Sequence, residues 1–436
     1  MGLASALYSS VSGLDVASTA ITVTGDNIAN VNTPGFKERR AEFADVLGQS
    51  IAAVGGFSQL GAGAKVQRVS TVFSQGTFES TGKGTDVAIE GAGFFLVDSV
   101  QGRSYTRAGM FNFDSQGFLV NPEGLRVQGF GIDPLTGISN GQLGDIQVNT
   151  VLSPPRPSST VQMSVNLDSS AAPIPGGFDP ASPNGTSHFR TPITIYDTQG
   201  NPHTATVFYT KVATNTWDVT VGLAPTDAFD PVAAAGDQFV IQGSTQLVFD
   251  NAGLISSITP SNPDGTVTIP FEFSGLAGNP VQNLALSFGN IANAGVRPTT
   301  QLASNSATNS FVQDGFAPGS LQAISIDREG YITGQFSNGE SLNLSQLALA
   351  NFPNVEQLQG VGNNRLIESR GSGQPIIGPA QSGNFGSIRA NAIEQSNVDL
   401  ATQFVRLIIH QRAFQANTRT VSVTNELLAT LNNLGQ

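Results

Sequence analysis

NIANVNTPGFK, Asn27 to Lys37, marks the point at which a helical pattern stops and the chain turns. Thr33 precedes Pro34, whose ring disfavours helix at the residue before it, and Gly35 follows. Asn27, Asn30, Asn32 and Thr33 carry side chains that can hydrogen-bond the backbone as a helix unwinds, and Phe36 can anchor the exit. Upstream, Ala4, Leu7, Val11, Leu14, Ser18, Ile21, Gly25 and Ile28 recur at alternating spacings of three and four. They form one seam of a helix over 3–32, about 45 Å long. The Ser18–Gly25 part is rich in β-branched residues and glycine, so this helix is marginal alone in water and needs a partner.

The C-terminus offers that partner. Ser396-Asn397-Val398-Asp399 has the form of a helix start with an acid in its first turn. Beyond it, Leu400, Phe404, Leu407, Phe414, Val421 and Leu428 fall on a heptad seam, with Gln411, Thr418 and Asn425 between them. These polar interruptions suit a helix that touches several neighbours better than a simple two-stranded coiled coil. Charge agrees with a pairing: residues 1–33 hold Asp15 and Asp26 and no base, whereas 397–436 hold Arg406, Arg412 and Arg419 against Asp399 and Glu426. Periodicity equally allows two ordinary terminal helices docked on their own core.

Between the ends the pattern is β. Residues 37–75 read as a transition segment with glycines at 55, 56, 61 and 63, and strand-like sequence starts near Val66. One device then recurs four times, an Asp followed three residues later by Gly: Asp114–Gly117, Asp197–Gly200, Asp250–Gly253 and Asp327–Gly330. Asp initiates turns and Gly supplies positive φ, so each predicts a hairpin turn. One carboxylate per turn is too few for calcium. From Thr191 to Gly222, Ile193, Ile195, Val207, Tyr209, Trp217, Val219 and Val221 alternate with polar residues, which predicts an antiparallel meander with one wet face. SPPRPSS (153–159) and GVRPTT (295–300) flank this module and read as hinges, and 301–390 returns to strand patterning.

Composition narrows the function. The 436-residue chain has no cysteine, 49 glycines, 12% charged residues and a net charge of −12. A weakly charged polar surface lets identical copies pack closely. Net acidity argues against nucleic acid, and no apolar run is long enough for membrane insertion. The N-terminus has no basic residue before Lys37 and does not read as a secretory signal. His188, His203 and His410 lack partners at metal-ligating spacing, and no nucleophile elbow, phosphate loop or dinucleotide fingerprint occurs. The expectation is a chain that is not an enzyme and holds neither metal nor cofactor.

NIANVNTPGFK resembles the signature of the bacterial flagellar rod and hook axial family. SNVDLATQFVRLIIHQRAFQANTRTVSVTNELLATLNNL (396–434) is similar to that family's closing helix, and DVAIEGAGFFLV (86–97) to its first β domain. Gln403 and Asn425 depart from positions that the family usually fills with acids. The resemblance implies a multidomain axial polymer subunit. Residues 1–36 and 391–436 would form a discontinuous, coiled-coil-like helical polymerisation domain. Mainly antiparallel β domains would follow, an inner one from 76–150 and 301–390 and an outer one, 151–300, inserted into it. It further implies an extracellular homopolymer, export through the flagellar type III apparatus, and contact with other axial proteins of the rod, hook cap and hook–filament junction. The inserted module favours a flexible torque-transmitting hook subunit over a distal rod subunit. A secreted β-rich adhesin is the more remote alternative.

Overall fold

The computed structural model describes residues 2–53, 56–99, 102–133, 137–148, 152–229, 238–262, 264–275, 281–289 and 298–434. Two long helices close the chain, α1 (Gly2–Ala29) and α3 (Leu400–Leu434), and a single-turn helix, α2 (Pro183–Thr186), lies mid-chain. Between them the described residues form mostly antiparallel strands joined by turns and loops, and the chain falls into two compact units. One comprises 1–150, 322–335 and 341–436; the other comprises 151–321 and 336–340.

In the first unit the central strand Phe94–Ser99 pairs antiparallel with Gly102–Thr106 and Arg126–Ile132. Its side chains alternate, so Phe95 and Val97 enter one core with Ile89, Phe111 and Leu349, whereas Phe94 and Leu96 enter a second with Tyr105 and Phe352. Both faces of this sheet are therefore buried. Two short antiparallel pairs bring the chain's two passages together, Val87–Glu90 with Ser387–Ala390 and Phe78–Ser80 with Ala392–Glu394. This pairing delivers residues 74–80 and 390–399 side by side to the base of the helices.

The segment read as a transition, 37–75, holds a long hairpin. β1 (Arg39–Ala53) pairs with β2 (Gly56–Thr71) from Arg39↔Thr71 onward, so strand begins well before Val66. Register shifts at Glu42/Phe43 and Asp45/Leu47 explain why no clean alternation marks it in the sequence. α1 lies on both this hairpin and α3.

The second unit is a β-sandwich. Its meander, in sequence order, runs Phe189–Tyr196, Pro202–Ala213, Thr216–Leu223, Val240–Phe249 and Ile255–Thr259. All seven apolar residues of the Thr191–Gly222 pattern are buried in one core, opposite Val161, Met163, Val165 and Leu167 of Thr160–Asp168. Each fully buried side chain of this size contributes about 1.5–3 kcal/mol, so this core dominates the unit's stability. Trp217 Nε1 donates to Gln301 Oε1 at 2.8 Å and pins the two sheets together. The second face of the meander is drier than expected, because Phe178 and Phe239 cover Phe208 with ring centroids 4.5 and 4.9 Å away. Residues 301–321, expected in the inner domain, fold here, since Ala307–Gln313 pairs antiparallel with Thr160–Asp168. Strand Thr160–Asp168 also makes two short parallel pairings, with Val281–Ser287 and Thr300–Leu302.

The described parts of the two expected hinge segments are bonded within the second unit. Ser158 N donates to Tyr196 O, Arg156 bridges Phe316, and Thr300–Leu302 is strand; residues 295–297 lie outside the described set.

All four Asp–Gly devices are closed turns of one design. In each, the Gly N–H donates to the Asp carbonyl, and the glycines take φ of 80, 83, 76 and 82°. The Asp Oδ1 accepts from the residue four on, as Asn201 N at 2.9 Å for Asp197 and Tyr331 N at 2.8 Å for Asp327. A side chain would be strained at that glycine, and an acceptor is needed at that Asp, which is why the pair recurs.

Candidate assembly surface at the chain termini

α1 and α3 run antiparallel, with Gly13 against Asn417 and Asn27 against Gln403. The face of α1 turned inward is a stripe of small and polar residues, Ser10, Gly13, Ala17, Ala20, Thr24 and Asn27. At Gly13 even a methyl would sit 2.6 Å from the Asn417 side chain, so the helices approach closely because this stripe is small. Thr24 and Ser10 satisfy their hydroxyls on Ala20 O and Ala6 O, which lets polar residues occupy a buried seam.

The Asn27–Lys37 stretch fastens these helices to the first unit. Asn27 acts as a strand mimic: Oδ1 accepts from Arg39 N at 2.9 Å and Nδ2 donates to Arg39 O at 2.8 Å. Asn30 holds the unwinding turn, donating to Asp26 O and accepting from the Thr33 hydroxyl. Pro34 O accepts from Asn364, and Gly35 N donates to Glu394 O at 2.8 Å. Gly35 has φ of 72°, and a Cβ there would lie 2.6 Å from Ala108 N, so only glycine fits. Phe36 is buried and Asn32 is exposed.

Beneath this turn lies a buried ion cluster. Glu394, fully buried, pairs with Lys37 Nζ at 2.6 Å through Oε1 and with Arg107 Nη1 at 3.3 Å through Oε2. Its Oε1 also accepts from Gly76 N, and Lys37 donates to Ser74 O. Burial pushes the Lys37 ammonium below the usual lysine range against the opposing pull of Glu394, and burial lowers Arg107 as well. Removing the acid would strand two cations out of water.

A second polar node starts α3. Asp399 caps it, accepting from Thr402 N at 2.7 Å; the acid stands just before the helix, not inside its first turn as expected. The Thr402 hydrogen bonds hold the Asp399 carboxyl below its ordinary value. Asn397 joins three segments, accepting from Glu38 N at 2.7 Å and donating to Val72 O at 2.8 Å. Glu38 Oε1 accepts from Gln403 Nε2 and Arg406. His410 lines the adjoining cavity of about 440 Å3 with Ala20, Thr24 and Arg406. Burial, then Arg406, pushes its imidazole below the usual value.

Family comparisons follow this layout along the chain. Residues 7–37 match the model described as flagella basal body rod protein, 88–168 the flagellar hook protein FlgE/F/G D1 domain, 166–316 the flagellar basal body protein FlaE D2 domain, and 389–434 the flagellar basal body rod FlgEFG protein C-terminal. The flagellar hook protein FlgE of Salmonella typhimurium is 35% identical over 431 residues, covering 97% of this chain and 98% of its own. That of Treponema pallidum is 34% identical over 457 residues, with 98% of each covered. The chain belongs to the flagellar hook protein FlgE family. It is a structural subunit of the flagellar hook. The crystal structure of the Helicobacter pylori flagellar hook protein FlgE2 shares its fold at a TM-score of 0.52 and 16% identity, covering 73% of this chain and 100% of that one.

Within this hook-family chain none of the expected seam residues is fully buried by the intramolecular contact. Leu7, Leu14, Ile21 and Ile28 are half-buried and Val11 is exposed. On α3, Leu407 and Val421 are half-buried, while Leu400, Phe404, Phe414 and Leu428 are 40, 51, 38 and 41% exposed. Sequence reading missed Glu38, Arg107 and Glu394, and read Asn397 only as part of a helix start; their partners lie far off in the chain. No local spacing could reveal them. Among the described residues no helix is long and apolar enough to cross a membrane, and no group of three or more His, Cys, Asp or Glu is placed to hold a metal.

Proposed function

We propose that this hook subunit polymerises with copies of itself through α1 and α3 into a curved, flexible tube that passes motor torque to the filament. The observation that carries the proposal is the large apolar surface left on α3, where Val405, Ile408, Ile409, Val423 and Leu427 are about half exposed. A helix in a monomer buries such residues; one left in this state has further partners. The polar nodes at Glu394 and Glu38 then couple each helix pair to the strands of its own first unit, so force on the helices reaches those strands. In this reading the outer β domain expected at 151–300 is the second compact unit, 151–321 with 336–340. Export through the flagellar type III apparatus, an extracellular location and end contacts with rod, hook cap and junction proteins complete this reading.

The test is a chain ending at Asp399. It should keep its β-sheet circular dichroism and the fluorescence of buried Trp217 but form no tubes in electron micrographs. Tubes from this truncated chain would overturn the proposal.

A further inference from the structure

Each helix carries a second exposed stripe on the side away from its partner. On α1 it is Tyr8, Val11, Asp15, Ser18, Thr22 and Gly25, all exposed. On α3 it is Val405, Ile409, Arg412, Ala416, Arg419 and Val423, again all exposed, with Glu426 beyond. Each stripe is displaced two residues from its helix's inward seam, hence about 200° around the axis. The two stripes therefore face opposite ways, and one chain cannot bring its own Asp15 to its own Arg412 or Arg419.

Their charges are complementary and unused. Among the described residues Asp15, Arg412 and Arg419 make no ion pair or side-chain hydrogen bond, although Arg39, Arg68, Arg107, Arg126, Arg365 and Arg406 all have acidic partners. The antiparallel register puts Asp15 level with Gln415, midway between Arg412 and Arg419. A second copy set beside the first at the same height would meet an acid flanked by apolar Tyr8 and Val11 with two guanidinium groups flanked by Ile409 and Val423.

We propose that Asp15 of one copy pairs with Arg412 and Arg419 of a neighbouring copy, and that this contact sets the axial register between adjacent subunits. It rests on the polymer reading above and adds the specificity-determining residues. The contact is heterologous, using different patches on the two copies, so it propagates rather than closing a dimer. Charge at such a rim fixes register and on-rate and excludes wrong alignments.

The experiment uses full-length chains, light scattering against protein concentration, and electron microscopy. Asp15→Arg alone, and Arg412→Asp/Arg419→Asp alone, should each raise the critical concentration about tenfold. An equimolar mixture of the two variants should assemble near the wild-type concentration, because each variant's altered stripe now complements the other's. Rescue in trans cannot arise from a pairing inside one chain. Wild-type tubes with no effect of Asp15→Arg, or no rescue on mixing, would overturn this contact while leaving the polymer reading intact. Failure of the wild-type chain to assemble would instead overturn the polymer reading and, with it, the contact.

Discussion

Gln403 departs from the acid that the family resemblance implies there, and its surroundings favour an amide. Its amide donates to Glu38 Oε1 at 2.8 Å and accepts from Asn27 Nδ2 at 3.2 Å. A carboxylate could accept from Asn27 but would oppose Glu38. Gln403→Glu should therefore destabilise the start of α3 by about 1–3 kcal/mol, and Glu38→Gln in the same chain should recover most of it. Hydrogen exchange of the α3 amides near 403–410 reports this; equal protection in Gln403→Glu and wild type would refute it. Asp197 offers a second test. Burial alone would raise its carboxyl, but hydrogen bonds from Asn201, His203 and the Gln199 backbone hold it below the ordinary value. A depressed folded value means stability that is complete above the ordinary carboxylate range and lost as pH falls below that range through the lower folded value. Asp197→Asn keeps the Oδ1 acceptor and loses the titration. Urea midpoints followed by the single tryptophan, Trp217, should thus fall more steeply with acidification in wild type than in Asp197→Asn. Parallel pH profiles would exclude the effect. Local chemistry of this kind was legible in the sequence: the Asp–Gly turns could be read because donor, acceptor and glycine lie within five residues. The Lys37–Glu394 pair could not, because 357 residues separate its halves.

At the scale of elements, the helices were legible and their packing was not. The periodicity of Leu7, Val11, Leu14 and Ile21 marks α1 correctly as a helix. Yet the face it buries within the chain is Gly13, Ala17, Ala20 and Thr24, which carries almost no hydrophobic signal. Small residues are chosen there for closeness of approach, and a pattern search weighted by apolar bulk selects the neighbouring stripe. The hairpin of β1 and β2 escaped for a related reason: its bulges break the two-residue alternation by which a strand is recognised. The observed anchoring also sets which parts of the termini should be labile. Residues 27–38 and 394–403 are tied into the first unit by the Asn27, Asn397 and Glu394 bonds, whereas the distal halves of the helices rest chiefly on each other and on the hairpin. Limited proteolysis of dilute monomer, mapped by mass spectrometry, should first remove roughly the outer two-thirds of each helix and leave both anchors attached. Early cuts within 30–38 or 394–400 would mean that the anchors do not hold in solution.

For the whole molecule, the question is what the buried Lys37–Glu394–Arg107 cluster contributes, since such clusters are often dispensable for stability. Breaking one is costly: Glu394→Ala leaves two buried cations unpaired and should cost about 3–5 kcal/mol. Replacing all three by methionine should restore much of that loss, because the desolvation of three charges disappears with them. The triple variant still lacks the bonds from Glu394 to Gly76 N and from Lys37 to Ser74 O, which orient residues 74–76 against the chain's return at 394. If the cluster's role is to fix the angle between the helix pair and the first unit, thermal stability and polymer shape should part company. The triple variant would melt near wild type yet assemble into tubes with a wider spread of curvature and a shorter persistence length in electron micrographs. Glu394→Ala would be impaired in both. Tubes of unaltered curvature and stiffness from the triple variant would show that apolar packing around Phe36 and Phe94 sets the angle by itself. The three charges would then have no mechanical role.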